Sequence, residues 1–158
     1  MKDVSLRIDG EVERPQSFTF SQLEAMVPAH QIADVSRIDP ARRGDAVSLA
    51  GVLELVGAKP SAQYLGLHAS SDDFHASIPL DPVRDKGMLI YRVNGQPLPL
   101  KSGGPFRFYI RDFAACHTDQ IDECASVKFV DHLELTAEKG FDNRPVDDEE
   151  HEALHRPQ

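Results

Sequence analysis

The stretch Met88-Leu89-Ile90-Tyr91-Arg92-Val93-Asn94-Gly95-Gln96-Pro97-Leu98-Pro99-Leu100 decides how the middle of this 158-residue chain folds. Its first six residues are mostly apolar, and they predict a buried β-strand. Asn94-Gly95 is the strongest short signal for a two-residue hairpin turn, so residues 96–100 are expected to return as a second strand. Because Pro97 and Pro99 have no backbone N–H to donate, this return strand is predicted to lie at a sheet edge.

Further strand signals lie on both sides of the hairpin. Short apolar or alternating runs predict strands over 4–8, 63–68, 75–80 and 106–110. Apolar residues with period two continue between 127 and 135, where another strand is expected. At least six short strands are therefore predicted, separated by turn sequences.

Two short helices are predicted in the first third of the chain. Ser21-Gln22-Leu23-Glu24 has the spacing of a capping box and predicts a helix over 21–26. A second helix is predicted over 48–56, because its apolar residues share one helical face and Gly57 follows at the C-cap position.

Residues 30–47, between these helices, are polar and contain the breakers Pro40 and Gly44. They predict a long loop, and long loops in compact domains are often functional. Taken together, the elements predict an α+β domain with mixed, mostly antiparallel sheets and short flanking helices. The domain is expected over 1–140, followed by an acidic tail over 141–158 that forms a short helix.

Charge and composition exclude several classes of protein. The chain has 17 Lys and Arg against 26 Asp and Glu, a net charge of −9, which argues against a nucleic-acid partner but not against one local basic pocket. It has no apolar stretch of membrane-spanning length, so no membrane partner is expected. The charged N-terminal residues and the two cysteines favour the cytoplasm, or the periplasm if a leader has been removed.

Six motifs occur in a fixed order along the chain. They are Leu65-Gly66-Leu67-His68, Ser71-Asp72-Asp73-Phe74, Ser77-Ile78-Pro79-Leu80, Ile90-Tyr91-Arg92-Val93-Asn94-Gly95-Gln96-Pro97-Leu98, Gly103-Gly104-Pro105-Phe106-Arg107 and Ser126-Val127-Lys128-Phe129-Val130. Together with the opening, Leu6 to Pro15, and the segment Ala50-Gly51-Val52, they resemble the molybdopterin-binding domain of sulfite-oxidase-type enzymes over about residues 4–136. The resemblance implies the α+β fold of that domain and a molybdopterin cofactor.

The same resemblance implies which residues surround the cofactor. They are Ser102, Gly103, Gly104, Arg107, Lys128 and Asp73. Arg107 and Lys128 match the arginine and lysine that the family uses near the phosphate and pterin, and Ser102 stands where the family has a histidine. A guanidinium and an ammonium suit a phosphate or another small anion, and glycine lets it approach the backbone. Alternatively, both cations are solvated strand residues whose stems cover apolar surface.

One departure from the family bears directly on the metal. The family holds its metal with a cysteine in the loop before the helix that contains Ala50-Gly51-Val52, and residues 32–47 contain no cysteine. Asp39 or Ser36 could supply an oxygen ligand instead. Because a thiolate tunes such a metal, its loss predicts altered or lost ligation and no standard oxo transfer. The function is thus either a molybdopterin-binding oxidoreductase with altered ligation or a non-catalytic module for a small anion or a protein.

Cys116, His117 and Cys124 form the remaining candidate chemistry. With His68, His75 or His30 they could assemble a transition-metal site, since thiolate and imidazole are preferred ligands. Their spacing is not that of a recognised metal motif, and two such cysteines also suit small buried residues. The sequence leaves this choice open, together with the substrate and the oligomeric state.

Overall fold

The computed structural model describes residues 5–112, 121 and 125–144. Within them lie ten β-strands and two α-helices. The strands are β1 (Ser5–Gly10), β2 (Gln16–Thr19), β3 (Gln31–Ile32), β4 (Asp45–Ser48), β5 (Tyr64–Ala69), β6 (Phe74–Pro79), β7 (Gly87–Val93), β8 (Gln96–Pro97), β9 (Arg107–Ile110) and β10 (His132–Thr136), and the helices are α1 (Phe20–Glu24) and α2 (Leu49–Val56). Neither helix has the length and apolar character needed to cross a membrane.

The strands form two sheets. The first has the order β2-β1-β10-β5-β6, and the second has the order β3-β4-β7-β8, with β9 also paired to β7. Among these pairs, β1 and β10 run parallel and all others run antiparallel. The predicted α+β class with mostly antiparallel sheets is confirmed, and β8, which contains Pro97 and ends before Pro99, lies at the end of the second sheet as predicted.

The core lies between the inner faces of the two sheets and α2. It includes Leu6, Ile8, Leu65, Leu67, Leu133 and Leu135 of the first sheet, Leu89, Tyr91 and Phe108 of the second, and Leu49, Val52, Leu53 and Val56 of α2. Along β10, buried leucines alternate with the partly exposed His132, Glu134 and Thr136. The first sheet therefore presents a polar outer face opposite its buried one.

The second predicted helix is confirmed. The Ser48 hydroxyl caps α2 by accepting a hydrogen bond from the Gly51 amide at 3.1 Å, and Gly57 ends it with a φ of +68°. The capping box predicted at Ser21 and Glu24 is wrong.

The cap of α1 lies two residues earlier in the chain. The Thr19 hydroxyl accepts from the Gln22 amide at 3.3 Å, and the Gln22 side chain accepts from the Thr19 amide at 2.8 Å. Thr19 is both the last residue of β2 and extended, so the helix begins directly where the strand ends.

Two other local predictions are also corrected. The segment 30–47 is not all loop, because β3 pairs with β4 inside it, and this long-range pairing leaves no local hydrophobic period. The strand expected between 127 and 135 forms only from residue 132, as β10, and residues 126–130 are not a strand, because Phe129 has a φ of +58°. The segment still bonds to the chain before it: the Phe108 amide donates to the Val127 carbonyl at 2.8 Å, and the Val130 amide donates to the Phe106 carbonyl at 3.0 Å.

Residues 140–144, here called the edge cover, lie against the outer edge strand β6. The Asn143 amide donates to the His75 carbonyl at 2.9 Å, and the Asn143 side-chain oxygen accepts from the His75 amide at 2.8 Å. The Ser77 amide donates to Asp142 Oδ2 at 2.9 Å. The edge cover thereby satisfies backbone groups that an exposed edge strand would offer to another chain. Residues 145–158, where a short helix is expected, lie outside the described residues.

Substituting Gly104→Ala is expected to lower the free energy of unfolding by about 2–4 kcal/mol. A β-carbon at this position would overlap the backbone carbonyl of Leu98, which cannot move as a flexible side chain does. Urea denaturation measures the loss.

Gly95→Ala is the matched control for that variant. Gly95 has a φ of +76° but no neighbouring atom within 4 Å of where a β-carbon would lie. Its substitution should cost only the backbone strain, about 1–2 kcal/mol. Equal losses in the two variants would contradict the close approach at Gly104.

Asp142→Asn is expected to destabilise the protein at neutral pH by about 1–3 kcal/mol. Burial alone raises the pKa of the Asp142 carboxyl, but hydrogen bonds from Arg144 and from the Ser77 amide outweigh burial and hold the pKa below its ordinary value. A lowered folded-state pKa means that ionised Asp142 stabilises the fold above the ordinary aspartate pKa of about 3.9 and loses this contribution at lower pH.

Urea denaturation of this variant and the parent at several pH values provides the test. The difference in stability should shrink as the pH falls below about 4. Asp81→Asn, in an ion pair whose carboxylate is 83% exposed, is the control and should change little at any pH. A difference for Asp142→Asn that persists unchanged at acid pH would sink this account.

Candidate functional site

Gly103 is the point at which two predicted site residues meet. A β-carbon on Gly103 would lie 3.1 Å from Cδ of Arg107 and 3.2 Å from Cγ of Lys128. The glycine has a φ of +93°, a backbone conformation that side chains disfavour. Two cationic side chains therefore cross the same bare stretch of backbone.

Two hydrogen bonds to backbone carbonyl groups hold this arrangement together. The Phe129 amide donates to the Gly103 carbonyl at 2.8 Å, which ties the segment that carries Lys128 to the turn. Nη1 of Arg107 donates to the Ser102 carbonyl at 3.2 Å. The turn, the start of β9 and the segment after residue 125 thus form one structural unit.

The loop between β3 and β4 adds a second arginine. The Tyr109 hydroxyl donates to Asp39 Oδ2 at 2.9 Å, and the guanidinium of Arg42 lies 5.5 Å from the centroid of the Tyr109 ring. Tyr109 and Arg107 are two residues apart on β9, so their side chains leave the same face of the sheet. The positive charge of Arg42 is therefore close enough to lower the pKa of Arg107.

The charges of this site interact strongly. Burial lowers the pKa of Arg107, and the positive charge of Arg42 lowers it further. Hydrogen bonds from the Ala41 amide and the Tyr109 hydroxyl hold the pKa of Asp39 below its ordinary value, with help from both arginines. Burial and the bond to Asp39 raise the pKa of Tyr109. Asp39 is therefore ionised, and a single carboxylate faces two guanidinium groups.

Both arginines carry an unsatisfied donor. Within the described part of the chain, the buried Nε atoms of Arg42 and Arg107 have no hydrogen-bond partner. The distance from Arg42 Nε to Asp39 Oδ2 is 3.8 Å, which is too long for a hydrogen bond. Buried donors of this kind are ordinarily paired, so the site has the chemistry of a receptor for an anion with several oxygens.

The structure brings most of the predicted residues together. Ser102, Gly103, Arg107 and Lys128 share contacts, and Gly104 follows in the same turn but packs against the Leu98 backbone.

Asp73 does not hydrogen-bond to any of these residues. It lies in the turn before β6, and its carboxylate contacts His75 Nε2 at 3.1 Å. Its predicted place beside the cofactor therefore has no contact to support it.

Sequence reasoning missed Arg42 and Tyr109 as site residues. The pair Arg42-Arg43 after Pro40 and the two-residue spacing of Arg107 and Tyr109 were the available signals. Neither signal indicates that the loop lies over β9, because only the folded chain brings them together.

Asp39 and Ser36, the candidate oxygen ligands, form hydrogen bonds with other residues of the chain. Asp39 accepts hydrogen bonds from Tyr109 and Ala41, and the Ser36 hydroxyl donates to Asp34. Among the residues described, no group of three or more His, Cys, Asp or Glu is arranged to hold a metal ion. The alternative site at Cys116, His117 and Cys124 lies outside the described residues.

Known proteins share this domain. The curated "Uncharacterized oxidoreductase YuiH" of Bacillus subtilis (strain 168) is 29% identical over 110 residues, which are 65% of this chain and 54% of that protein. The chain thus spans about half the length of this curated relative. The crystal structure of the sulfane dehydrogenase SoxCD from Paracoccus pantotrophus aligns with a TM-score of 0.61 at 22% identity, covering 86% of this chain and 39% of that one, and shares the fold.

The family itself is identified by a longer match. The model of the oxidoreductase molybdopterin binding domain matches residues 45–143, which include α2, the turn at Gly103 and both Arg107 and Lys128. This match covers more than half of the chain. The protein belongs to the oxidoreductase molybdopterin binding domain family.

Proposed function

We propose that the protein binds molybdopterin and that the cofactor's phosphate lies over Gly103 between Arg107 and Lys128. The observation that carries the proposal is the buried, unpaired Nε of Arg107 beside a second arginine, Arg42. Two guanidinium groups and the Lys128 ammonium against the single Asp39 carboxylate leave a formal excess of two positive charges, which a phosphate dianion would neutralise.

The residues of the site fit the phosphate end of this cofactor. Arg107 offers a planar set of donors and Lys128 supplies a point charge, and the stems of both side chains pack on the bare backbone of Gly103, which holds the two charged ends close to the same turn. Ser102 replaces the family's histidine and contributes its carbonyl as the acceptor that orients Arg107. Asp39 and Tyr109 position Arg42 rather than touching the phosphate.

We further propose that metal ligation differs from the family pattern. Bound molybdopterin carries a metal centre that supplies oxygen-atom transfer and electron transfer in this family. Residues 32–47 contain no cysteine to bind that metal, and the Asp39 carboxylate is occupied by Tyr109 and Ala41. We therefore expect this chain by itself to have lost the standard oxo transfer.

A second candidate function is a non-catalytic module for a small anion. The same excess of cations supports it, because phosphate or sulfate would satisfy the two unpaired Nε atoms equally well. The net charge of −9 does not prevent this binding, since distant surface charges are screened over about 8–10 Å at ordinary salt.

Replacing Arg107 or Lys128 by Ala is expected to reduce the pterin content of the purified protein at least about tenfold, because charge-assisted hydrogen bonds contribute about 1.5–3 kcal/mol each. The protein is expressed in a host that makes molybdopterin. Pterin fluorescence after oxidation and molybdenum by mass spectrometry are measured per chain.

Arg84→Ala is the control for these variants. Arg84 forms an ion pair with Asp81 in its own turn, and its replacement should leave the pterin content unchanged. Pterin retained after both site substitutions would contradict the proposed position. Binding of inorganic phosphate without pterin, lost in Arg107→Ala, would favour the second candidate function.

The protein purified with its pterin is expected not to transfer electrons from sulfite to ferricyanide above the rate measured without sulfite. The physical reason is that the loop before α2 provides no thiolate ligand. The preparation of Arg107→Ala provides the background rate. Reduction that depends on sulfite and rises with the molybdenum content would show that the proposed altered ligation is wrong.

A further inference from the structure

Three histidines form a row across the outer face of the first sheet. His132 on β10, His68 on β5 and His75 on β6 are direct cross-strand neighbours. The ring centroids are 4.9 Å apart for His132 and His68 and 5.0 Å apart for His68 and His75. Their side chains are only 25%, 13% and 18% exposed, respectively, so the row is largely shielded from water.

The rings of His68 and His75 face each other through the same type of atom. Nδ1 of His68 lies 2.8 Å from Nδ1 of His75. On the far side of each ring, His68 Nε2 lies 3.1 Å from Glu134, and His75 Nε2 lies 3.1 Å from Asp73. The result is a continuous line of three short polar contacts that begins and ends on a carboxylate.

Counting hydrogens along this line shows its charge state. Each of the three contacts needs one hydrogen, and carboxylates ionised at neutral pH have none to give. Two neutral imidazoles carry two N–H hydrogens in total, which is one too few. Three hydrogens satisfy every contact, with the middle one between the Nδ1 atoms, so His68 and His75 together carry one positive charge. A fourth would place two N–H groups against each other at 2.8 Å.

The surroundings attract positive charge. Several titratable and charged groups lie on the elements that surround the pair. They are Glu134 and His132 on β10, Asp9 and Arg7 on β1, Asp73 before β6, Asp131 before β10, and Asp142 and Arg144 of the edge cover. His132 Nε2 contacts Asp9 at 2.6 Å, and Arg7 contacts the same carboxylate at 2.6 Å. Of these groups, the carboxylates of Glu134 and Asp73 contact the pair directly.

His75 also holds the edge cover. The ring of Phe141 packs on the His75 ring with centroids 5.0 Å apart. Asn143 bonds to both the amide and the carbonyl of His75. Any displacement of His75 therefore moves the residues that shield the edge of β6.

We propose that His68 and His75 share a single proton at neutral pH and that a second proton, taken up in mild acid, releases the edge cover from β6. The second proton forces the two Nδ1–H groups apart, and His75 moves because it lies on the edge strand, whereas His68 lies between two strands. The positive charge already on the pair opposes the second proton across the 2.8 Å contact, so release is expected on the acid side of neutral pH. Asp142 stays ionised there, because its pKa is held below the ordinary value.

Hydrogen exchange at two amides measures the release directly. The His75 amide donates to Asn143, and the Ser77 amide donates to Asp142, so both report on the edge cover. Their protection factors, corrected for intrinsic rates, should fall at least about tenfold between about pH 7.5 and about pH 5.5. Amides paired between β5 and β10 serve as the internal reference and should keep their protection.

The substitution His68→Gln removes the opposing ring, so a proton on His75 no longer meets a second Nδ1–H, and protection at His75 and Ser77 should no longer depend on pH. His132→Gln is the matched control: it removes a ring stacked on His68 but keeps the Nδ1 contact, and should retain the pH dependence.

Nitrogen-15 NMR of the imidazole rings provides a second measurement, on the unmodified protein. It should show one positive charge shared by His68 and His75 at neutral pH. Two neutral rings at neutral pH, or a pH dependence unchanged in His68→Gln, would overturn the proposal.

Discussion

The close passage of the chain at Gly103 and Gly104 is the constraint on which the site depends. Gly104 lies so near the Leu98 backbone that no side chain fits, and Gly103 runs beneath the stems of Arg107 and Lys128. The turn thus connects the edge hairpin of the second sheet to β9 and ties the segment after residue 125 to both. Because backbone contacts join these elements, displacing one of them would break hydrogen bonds in the others, and the cationic side chains keep their relative positions.

The screened charge of the whole surface and the close charges at the cationic site act over different distances. The net charge of −9 acts over the whole surface, where salt and water screen it. Within the site, the charge of Arg42 lowers the pKa of Arg107, and Asp39 offsets only part of the positive charge. Burial strengthens these short-range interactions, so the site can bind an anion although the net charge of the surface repels it.

The first sheet uses one pattern for two purposes. Its strands bury leucines on one face, and the same period-two alternation places His132 and Glu134 on the other. Antiparallel pairing around the turn at 70–73 then sets His68 opposite His75, where the edge cover meets the sheet. The register of β5 and β6 thus accounts both for the protection of the edge strand and for the shared proton that we propose.

The sequence was sufficient to predict the strand-rich α+β class, the helix that ends at Gly57, the edge position of β8 and the family, because these depend on local periodicity, turn residues and motif order. It also indicated Arg107 and Lys128. That both cross Gly103, that Arg42 joins them and that Asp73 bonds to His75 instead became visible in the folded chain. These contacts join residues far apart in the chain or depend on strand register, which no local pattern specifies.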